Sequence, residues 1–226
     1  MRKRIARIKL TKYNQNNAGE YMTQLIFIRH GETLWNIEGR VMGQLDSPLS
    51  TRGEKQAEAI AERLSALQFE HLYSSDLGRA TQTAERIAKR CGVKVALEKG
   101  LRERHMGVFQ GLTRPEKKAR HADAWKQCKV IGADYVIPGG GESQNQRLAR
   151  SIEVMNRLAD AHPGETIVLV SHDGILRGFL GHILGLDTQS ETRIVRANAS
   201  YNSFLKQQGQ WRLKVWGDTS HLEHIG

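Results

Sequence analysis

Apolar residues follow two different periods along this chain, and the period separates the predicted strands from the predicted helices. Short runs that are almost continuously apolar predict buried strands. Such runs cover residues 25–28 and 166–170, and two further strands are predicted over residues 70–74 and 93–97. Two later runs, 201–206 and 210–216, lie on either side of Gln208-Gly209 and predict a β-hairpin.

Between the strands, apolar residues recur every three to four positions, which predicts amphipathic helices. Thr51-Arg52-Gly53-Glu54 is a capping-box pattern, so the first helix is expected to begin at Thr51. Its apolar face comprises Ala57, Ile60, Ala61, Leu64 and Leu67. Asp76 is expected to cap a second helix that ends at Gly92. Further helices are predicted over residues 115–128, 142–161 and 173–184.

The alternation of strands with helices indicates an α/β layered fold with a mostly parallel sheet. The hairpin near the C-terminus adds at least one antiparallel strand at an edge. A chain of 226 residues with 39% apolar residues can build one such domain around a substantial core.

The net charge of +10 is unusual, and its distribution along the chain changes what it indicates about the protein's partners. Residues 1–21 hold six basic side chains and one acidic side chain, which is half of the net charge. We therefore predict a basic, flexible N-terminal extension over 1–21 and a compact domain over 22–226. Such an extension could be a simple tail, a nucleic-acid- or lipid-binding tail, or a targeting peptide. The positive charge that remains in residues 22–226 is typical of an enzyme that binds small anions.

The chain has two cysteines, Cys91 and Cys128, which are too few for a disulfide scaffold. They indicate free thiols in a reducing compartment, which favours the cytoplasm. No apolar run reaches the ~18 residues that a membrane-spanning helix needs, so we expect no membrane partner.

Four polar motifs follow predicted strands, where ligands bind in parallel sheets. They are Arg29-His30-Gly31-Glu32-Thr33, Ser74-Ser75-Asp76-Leu77-Gly78-Arg79, Leu101-Arg102-Glu103-Arg104 and Ser171-His172-Asp173-Gly174. Arginine binds phosphate through paired N–H donors, and a neutral imidazole can attack phosphorus. Together the motifs predict a phosphomonoester site with a histidine intermediate and no metal.

Taken singly, each of these residues also fits a structural role. A histidine at a strand end is commonly a hydrogen-bonded structural residue, and Arg79 could form a surface ion pair. His30 and His172 could instead bind a metal, but no CxxC, HxxxH or carboxylate cluster accompanies them. The coincidence of four motifs at four strand ends favours the phosphate site.

The ordered motifs resemble the histidine phosphatase superfamily, the phosphoglycerate mutase-like group of branch 1. The resemblance rests on the motif at Arg29-His30-Gly31-Glu32-Thr33 and on later matching blocks. These blocks are Asp46-Ser47-Pro48-Leu49-Ser50, Ser74-Ser75-Asp76-Leu77, Gly141-Glu142-Ser143 and Val170-Ser171-His172. The matches extend from residue 25 to about residue 205. The resemblance implies a three-layer α/β/α sandwich whose mostly parallel sheet has an antiparallel edge strand.

The resemblance also implies roles for individual residues. His30 would be the nucleophile, and Glu103 would be the general acid and then the general base. Arg29, Arg79 and His172 would hold the phosphate. Further substrate contacts are expected from Asn36, Thr33, Arg40, Gly43, Arg104 and Asp173. Asp173 could equally cap the helix that follows it. No cofactor and no metal are implied.

Phosphatases and cofactor-dependent mutases of this family share these residues. Residues 103–112 resemble the mutase block, but Met106 stands where mutases carry a tyrosine, and Thr113-Arg114 replaces Asn-Lys. An Arg-Arg pair followed by a proline-rich stretch is missing between 114 and 140. We therefore expect a small-molecule phosphomonoesterase, with a mutase as the alternative and a non-catalytic binding protein as a third hypothesis.

The expected partner is thus a small phosphomonoester. Nucleic acid is expected only through the basic extension, if at all. Residues 112–140 are predicted to form a lid that selects among substrates such as phosphoglycerates, phosphoserine, sugar phosphates, α-ribazole phosphate or phosphorylated protein. The sequence does not determine the oligomeric state, and a homodimer stays open.

Overall fold

The fold is built on a six-stranded sheet, seen in a computed structural model that describes residues 21–187, 194 and 197–225. The strands are β1 (Thr23–Arg29), β2 (His71–Ser74), β3 (Val95–Leu97), β4 (Thr166–Ser171), β5 (Tyr201–Gln207) and β6 (Gln210–Asp218). Their order across the sheet is β3-β2-β4-β1-β5-β6. The first four strands run parallel to one another, whereas β5 is antiparallel to both β1 and β6.

Helices cover both faces of this sheet. They are α1 (Leu34–Ile37), α2 (Thr51–Ser65), α3 (Gly78–Cys91), α4 (Arg114–Arg120), α5 (Ala122–Val130), α6 (Gln144–Ala161) and α7 (Asp173–Leu184). The predicted α/β fold, with its mostly parallel sheet and antiparallel edge pair, is confirmed.

The two faces of β1 divide the core into two clusters, because successive side chains of a strand point to opposite faces. Ile26 and Ile28 pack with residues of α2 and α3, whereas Leu25 and Phe27 pack with residues of α6 and α7. All six residues of β4 are buried, as expected for a central strand between two helical layers.

Three predicted capping residues were wrong, although α2 and α7 begin at the predicted residues Thr51 and Asp173. Ser50 rather than Thr51 caps α2, and its side chain accepts a hydrogen bond from the Gly53 amide. Asp76 does not cap α3, since its carboxylate binds the Arg102 guanidinium. Asp173 does not cap α7 but is its first residue.

The helix predicted over residues 115–128 is two helices. The chain leaves the helical conformation at His121, which separates α4 from α5. Thr113 caps α4 in a capping box with Glu116, so the first helix is short and begins before Pro115. Ser143 caps α6 in the same manner, which moves its start from residue 142 to residue 144.

Several expectations lie partly or wholly outside the described residues. Residues 1–20 of the predicted extension are not described, and the domain boundary at Met22 stays a prediction. Among the described residues, no helix has both the length and the apolar composition needed to cross a membrane. Cys91 and Cys128, both described, are not joined in a disulfide.

Candidate active site

One cavity lies at the carboxyl ends of the central strands and collects most of the residues singled out by the sequence. Seven of them line it: Arg29, His30, Gly43, Arg79, Glu103, Arg104 and Asp173. His172 lies directly beside it, with its ring centroid 5.3 Å from that of His30. The structure thus brings the four polar motifs together at one edge of the sheet.

His30 follows β1 and is almost completely buried, with 2% of its surface exposed. Its backbone amide donates to the Ser171 carbonyl at 3.0 Å, which fixes the chain at the end of the sheet. Its Nδ1 lies 2.8 Å from the Gly31 carbonyl oxygen. Because a carbonyl can only accept, Nδ1 carries the proton, and a neutral ring has its lone pair on Nε2.

The electrostatics of the cavity keep both histidines neutral. Burial holds the pKa of His30 well below its ordinary value, and the positive charges of Arg79 and Arg29 lower it further. Burial and then Arg79 lower the pKa of His172 in the same way. A neutral imidazole can act as a nucleophile at pH 7, whereas an imidazolium cannot.

This shift predicts how activity depends on pH. Because the pKa of His30 is depressed, its neutral form persists as the pH falls through about 6.5 and is lost only at lower pH. We expect kcat/KM, corrected for the second ionisation of the substrate phosphate near about 6, to hold as the pH falls from about 7.5 to about 6. A pH–rate profile checks this, and an acid limb with its midpoint at or above about 6.5 would contradict it.

Arg79 lies in the first turn of α3 and is 1% exposed. Its Nη1 donates to the Leu45 carbonyl at 2.9 Å and to Asp46 Oδ1 at 3.0 Å, and its Nη2 donates to the Gly43 carbonyl at 2.8 Å. Its buried Nε has no hydrogen-bond partner within the described residues. The loop therefore fixes the guanidinium and leaves its Nε–H as a donor for an anion in the cavity.

Asp46 supplies the capping that sequence analysis assigned to Asp76. Its carboxylate accepts from the amides of Gly78, at 2.5 Å, and Arg79, at 3.2 Å, at the start of α3. The same carboxylate binds the Arg79 side chain. Asp46 belongs to the motif Asp46-Ser47-Pro48, so the sequence singled out this residue. The sequence did not indicate that Asp46 contacts Arg79.

His172 is completely buried and held by Ser75, whose hydroxyl lies 2.8 Å from His172 Nε2. Its other ring nitrogen, Nδ1, has no hydrogen-bond partner within the described residues. A buried nitrogen of this kind is expected where a ligand completes the hydrogen bonding. Ser75 was part of a recognised motif, but its role in positioning His172 was not predicted.

Glu103 is held on the wall of the cavity by two backbone amides. Its Oε1 accepts from the Arg104 amide at 2.8 Å, and its Oε2 accepts from the Gly174 amide at 2.9 Å. A Cβ at Gly174 would overlap the Glu103 carboxylate and also crowd Arg147. The glycine of Ser171-His172-Asp173-Gly174 thus leaves room for the close approach of Glu103 to α7.

Three predicted substrate contacts do not line this cavity. Thr33 and Asn36 form the capping box of the short helix α1. Arg40 forms ion pairs with Glu38 and Glu116. Because these side chains have partners within the fold, their part in substrate binding stays a prediction.

Arg104 lines the cavity while two of its nitrogens donate to backbone carbonyls. Nε donates to Glu142 at 2.8 Å, and Nη2 donates to Tyr135 at 3.1 Å. Tyr135 belongs to the predicted lid over residues 112–140, so this segment reaches the cavity through Arg104. Of the described residues 112–140, none lines the cavity itself, and the role of the lid in selecting substrates stays a prediction.

Five residues of the cavity wall were not predicted from the sequence. These are Val41, Met42, Gln144, Arg147 and Arg177. Arg147 is 3% exposed, and its Nη1 donates to the Gly174 carbonyl. Its position on a helix distant in sequence gave no local signal, because the contact exists only when α6 and α7 pack together.

A cavity with fixed arginines around a neutral, buried histidine defines a class of α/β proteins equipped for phosphoryl transfer to histidine. The chain belongs to the histidine phosphatase superfamily (branch 1), whose family model matches residues 25–219. The expected family and the expected enzyme class, a phosphatase, are thereby confirmed.

Comparison with individual proteins supports this assignment. The chain is 41% identical over 206 residues to phosphoglycerate mutase-like protein 4 of Arabidopsis thaliana, covering 90% of this chain and 88% of the relative. It is 40% identical over 207 residues to a metal-independent phosphoserine phosphatase of the same plant, covering 91% and 85%. Among solved structures, a mycobacterial glucosyl-3-phosphoglycerate phosphatase in complex with VO3 has a TM-score of 0.75 and 34% identity, covering 87% and 99%.

Proposed function

We propose that this protein hydrolyses small phosphomonoesters through a phosphohistidine at His30. The observation that carries the proposal is the state of that residue, a neutral imidazole with its Nε2 lone pair available beside Arg29 and Arg79. The arginines supply the positive charge that phosphoryl transfer needs, so that no metal is required in the mechanism.

The proposed reaction has two steps. In the first, a bond forms between His30 Nε2 and phosphorus, the bond from phosphorus to the ester oxygen breaks, and Glu103 gives its proton to that oxygen. In the second, Glu103 takes a proton from water, and the water oxygen bonds to phosphorus as the phosphorus–nitrogen bond breaks. Arg29, Arg79 and His172 stabilise the charge on the transferring oxygens in both steps.

The second candidate is a cofactor-dependent phosphoglycerate mutase, because relatives bear mutase-like names. It would return the phosphoryl group from His30 to a bound glycerate instead of to water. Against it, Met106 lines the cavity at the position where the family's mutases carry a tyrosine. The name of the phosphatase relative and that of the VO3-bound neighbour favour hydrolysis.

Phosphoserine is the first substrate to test. A relative that is 40% identical is named for its hydrolysis. The cavity also offers both charges that this substrate needs, since Arg104 can attract its carboxylate and Asp173 its ammonium group.

An assay of purified protein with chelator present tests the proposal. We expect inorganic phosphate to be released from phosphoserine and other small phosphomonoesters. We expect no efficient interconversion of 3-phosphoglycerate and 2-phosphoglycerate, with or without 2,3-bisphosphoglycerate. Efficient isomerisation would establish the mutase instead, and inactivity on the whole panel would contradict both functions.

The proposed location is the cytoplasm. A thiol pair that forms no disulfide suits a reducing compartment, and Cys91 and Cys128 are such a pair.

A further inference from the structure

Three metal-ligand side chains meet at the end of the sheet opposite the candidate active site. His71 is the first residue of β2, Glu165 immediately precedes β4, and His162 follows α6. One ligand atom from each lies within 4.8 Å of the other two. Within the described part of the chain, these are the three histidine, cysteine or carboxylate side chains that the fold brings close enough together to share a metal ion.

The backbone holds these three residues in place. His71 pairs with Ile167 across β2 and β4, and the Glu165 carbonyl accepts from the Gln24 amide at 2.9 Å. The Glu165 amide donates to the His162 carbonyl at 3.2 Å. Three ligands on fixed backbone lose little conformational freedom when they bind an ion, which favours binding.

The side chains already converge on the Glu165 carboxylate. His71 Nε2 lies 2.5 Å and His162 Nδ1 lies 3.8 Å from Glu165 Oε2. The other nitrogen of His162, Nε2, lies 2.8 Å from the Tyr73 hydroxyl. This bond orients the ring so that Nδ1 is directed at the carboxylate, as outer hydrogen bonds orient histidine ligands in metal sites.

We propose that His71, His162 and Glu165 bind a divalent transition-metal ion of the Zn²⁺ type. Two imidazole nitrogens and one carboxylate oxygen are a donor set that Zn²⁺ accepts, and they exclude Mg²⁺ and Ca²⁺ as preferred ions because those favour oxygen ligands. With three protein ligands, a tetrahedral ion keeps a fourth position for water or another small ligand.

Binding requires a small movement of the rings. The imidazoles of His71 and His162 are stacked, with centroids 3.6 Å apart and planes at 25°. Bonds of about 2.0–2.2 Å to a tetrahedral ion place the ligand atoms about 3.4 Å apart, with both rings directed at the ion. His71 and Glu165 are 28% and 50% exposed, so their side chains have room to rotate toward this arrangement.

The bound ion would connect the starts of β2 and β4 to the end of α6. It would therefore stabilise the folded state, because the unfolded chain does not hold the three ligands together. The site lies a strand length away from His30, at the other ends of β2 and β4, so phosphoryl transfer does not depend on it.

Calorimetric titration of tag-free, chelator-treated protein with Zn²⁺ tests the proposal. We expect one ion per chain for the wild type and a rise in melting temperature with Zn²⁺. Affinity should fall by at least about tenfold in the His71→Ala and Glu165→Gln variants. His182→Ala, which removes an exposed histidine of α7, should bind as the wild type does.

Electron paramagnetic resonance with Cu²⁺ gives a second measurement, and its wild-type result does not depend on whether a variant folds. The wild type should show coupling to two imidazole nitrogens, and His71→Ala should show coupling to one. Unchanged Zn²⁺ affinity in both ligand variants, or no Zn²⁺ binding by the wild type, would overturn the proposal. So would binding that is lost in His30→Ala but kept in His71→Ala, since the ion would then lie in the active-site cavity.

Discussion

The His30→Ala variant is expected to lose phosphatase activity, with kcat lowered by at least about 10⁴-fold on every phosphomonoester. The reason is that Nε2 of this ring is the atom that bonds to phosphorus in the proposed mechanism, and alanine offers no replacement. Arg79 and Glu103 would still line the cavity. Without a nucleophile, however, no phosphoryl group is transferred for Arg79 to stabilise, and no leaving group forms for Glu103 to protonate. Steady-state assays with phosphoserine and p-nitrophenyl phosphate measure the loss.

Two controls separate chemistry from folding. His182→Ala removes an exposed histidine and should keep wild-type activity, while circular dichroism should show His30→Ala folded. Rapid quenching of the wild type in alkali should trap a phosphoryl group on His30, which alkali preserves and acid releases. Substantial turnover by His30→Ala, or label on another residue, would rule out the proposed intermediate.

The Glu103→Gln variant is expected to show a different loss, one that depends on the leaving group. Glutamine keeps the shape of the side chain but cannot transfer a proton. Phosphoserine has a poor alkoxide leaving group, so its hydrolysis should slow by about 10²–10⁴-fold. p-Nitrophenolate leaves without a proton, so the first step with p-nitrophenyl phosphate should remain fast.

The second step gives this variant a kinetic signature. Because water still needs a base, the phosphohistidine should accumulate in Glu103→Gln. A stopped-flow trace with p-nitrophenyl phosphate should then show a burst of about one product per enzyme, followed by slow turnover. The same variant should give no burst with phosphoserine. Equal rate losses for both substrates and no burst would assign Glu103 a positioning role instead of proton transfer.

Local sequence patterns were sufficient for most of the fold. Apolar runs located β1 and β4, since a strand buried between helical layers needs continuous apolar residues. The turn at Gln208-Gly209 located the hairpin of β5 and β6. The 3.6-residue period located α2 and α3. The cavity was anticipated because the carboxyl ends of parallel strands meet at one edge, whatever the details of packing.

Helix caps and breaks were predicted less well, because several residues near a boundary can serve as the cap. Ser50 and Thr51 are both good capping residues, and only the path of the chain decides between them. Asp76 looked suitable in sequence, but the neighbouring Arg102 engages its carboxylate. The helix break at His121 was not predicted, because no proline or glycine lies there to indicate it.

The sequence by itself determined which residues are candidates for the chemistry. The order of the elements, the arginines proposed to bind phosphate and the two histidines follow from motifs that lie within a few residues of a strand end. Only the tertiary structure decided the tautomer and the hydrogen-bond partners of these side chains. The Gly31 carbonyl selects the nitrogen of His30 that stays free, Asp46 fixes Arg79, and Gly174 fixes Glu103. Except for Gly31, these partners are distant in sequence, as are His71 and Glu165. Hydrogen bonds and burial act over a few ångströms in space, so they exist only once the chain has packed.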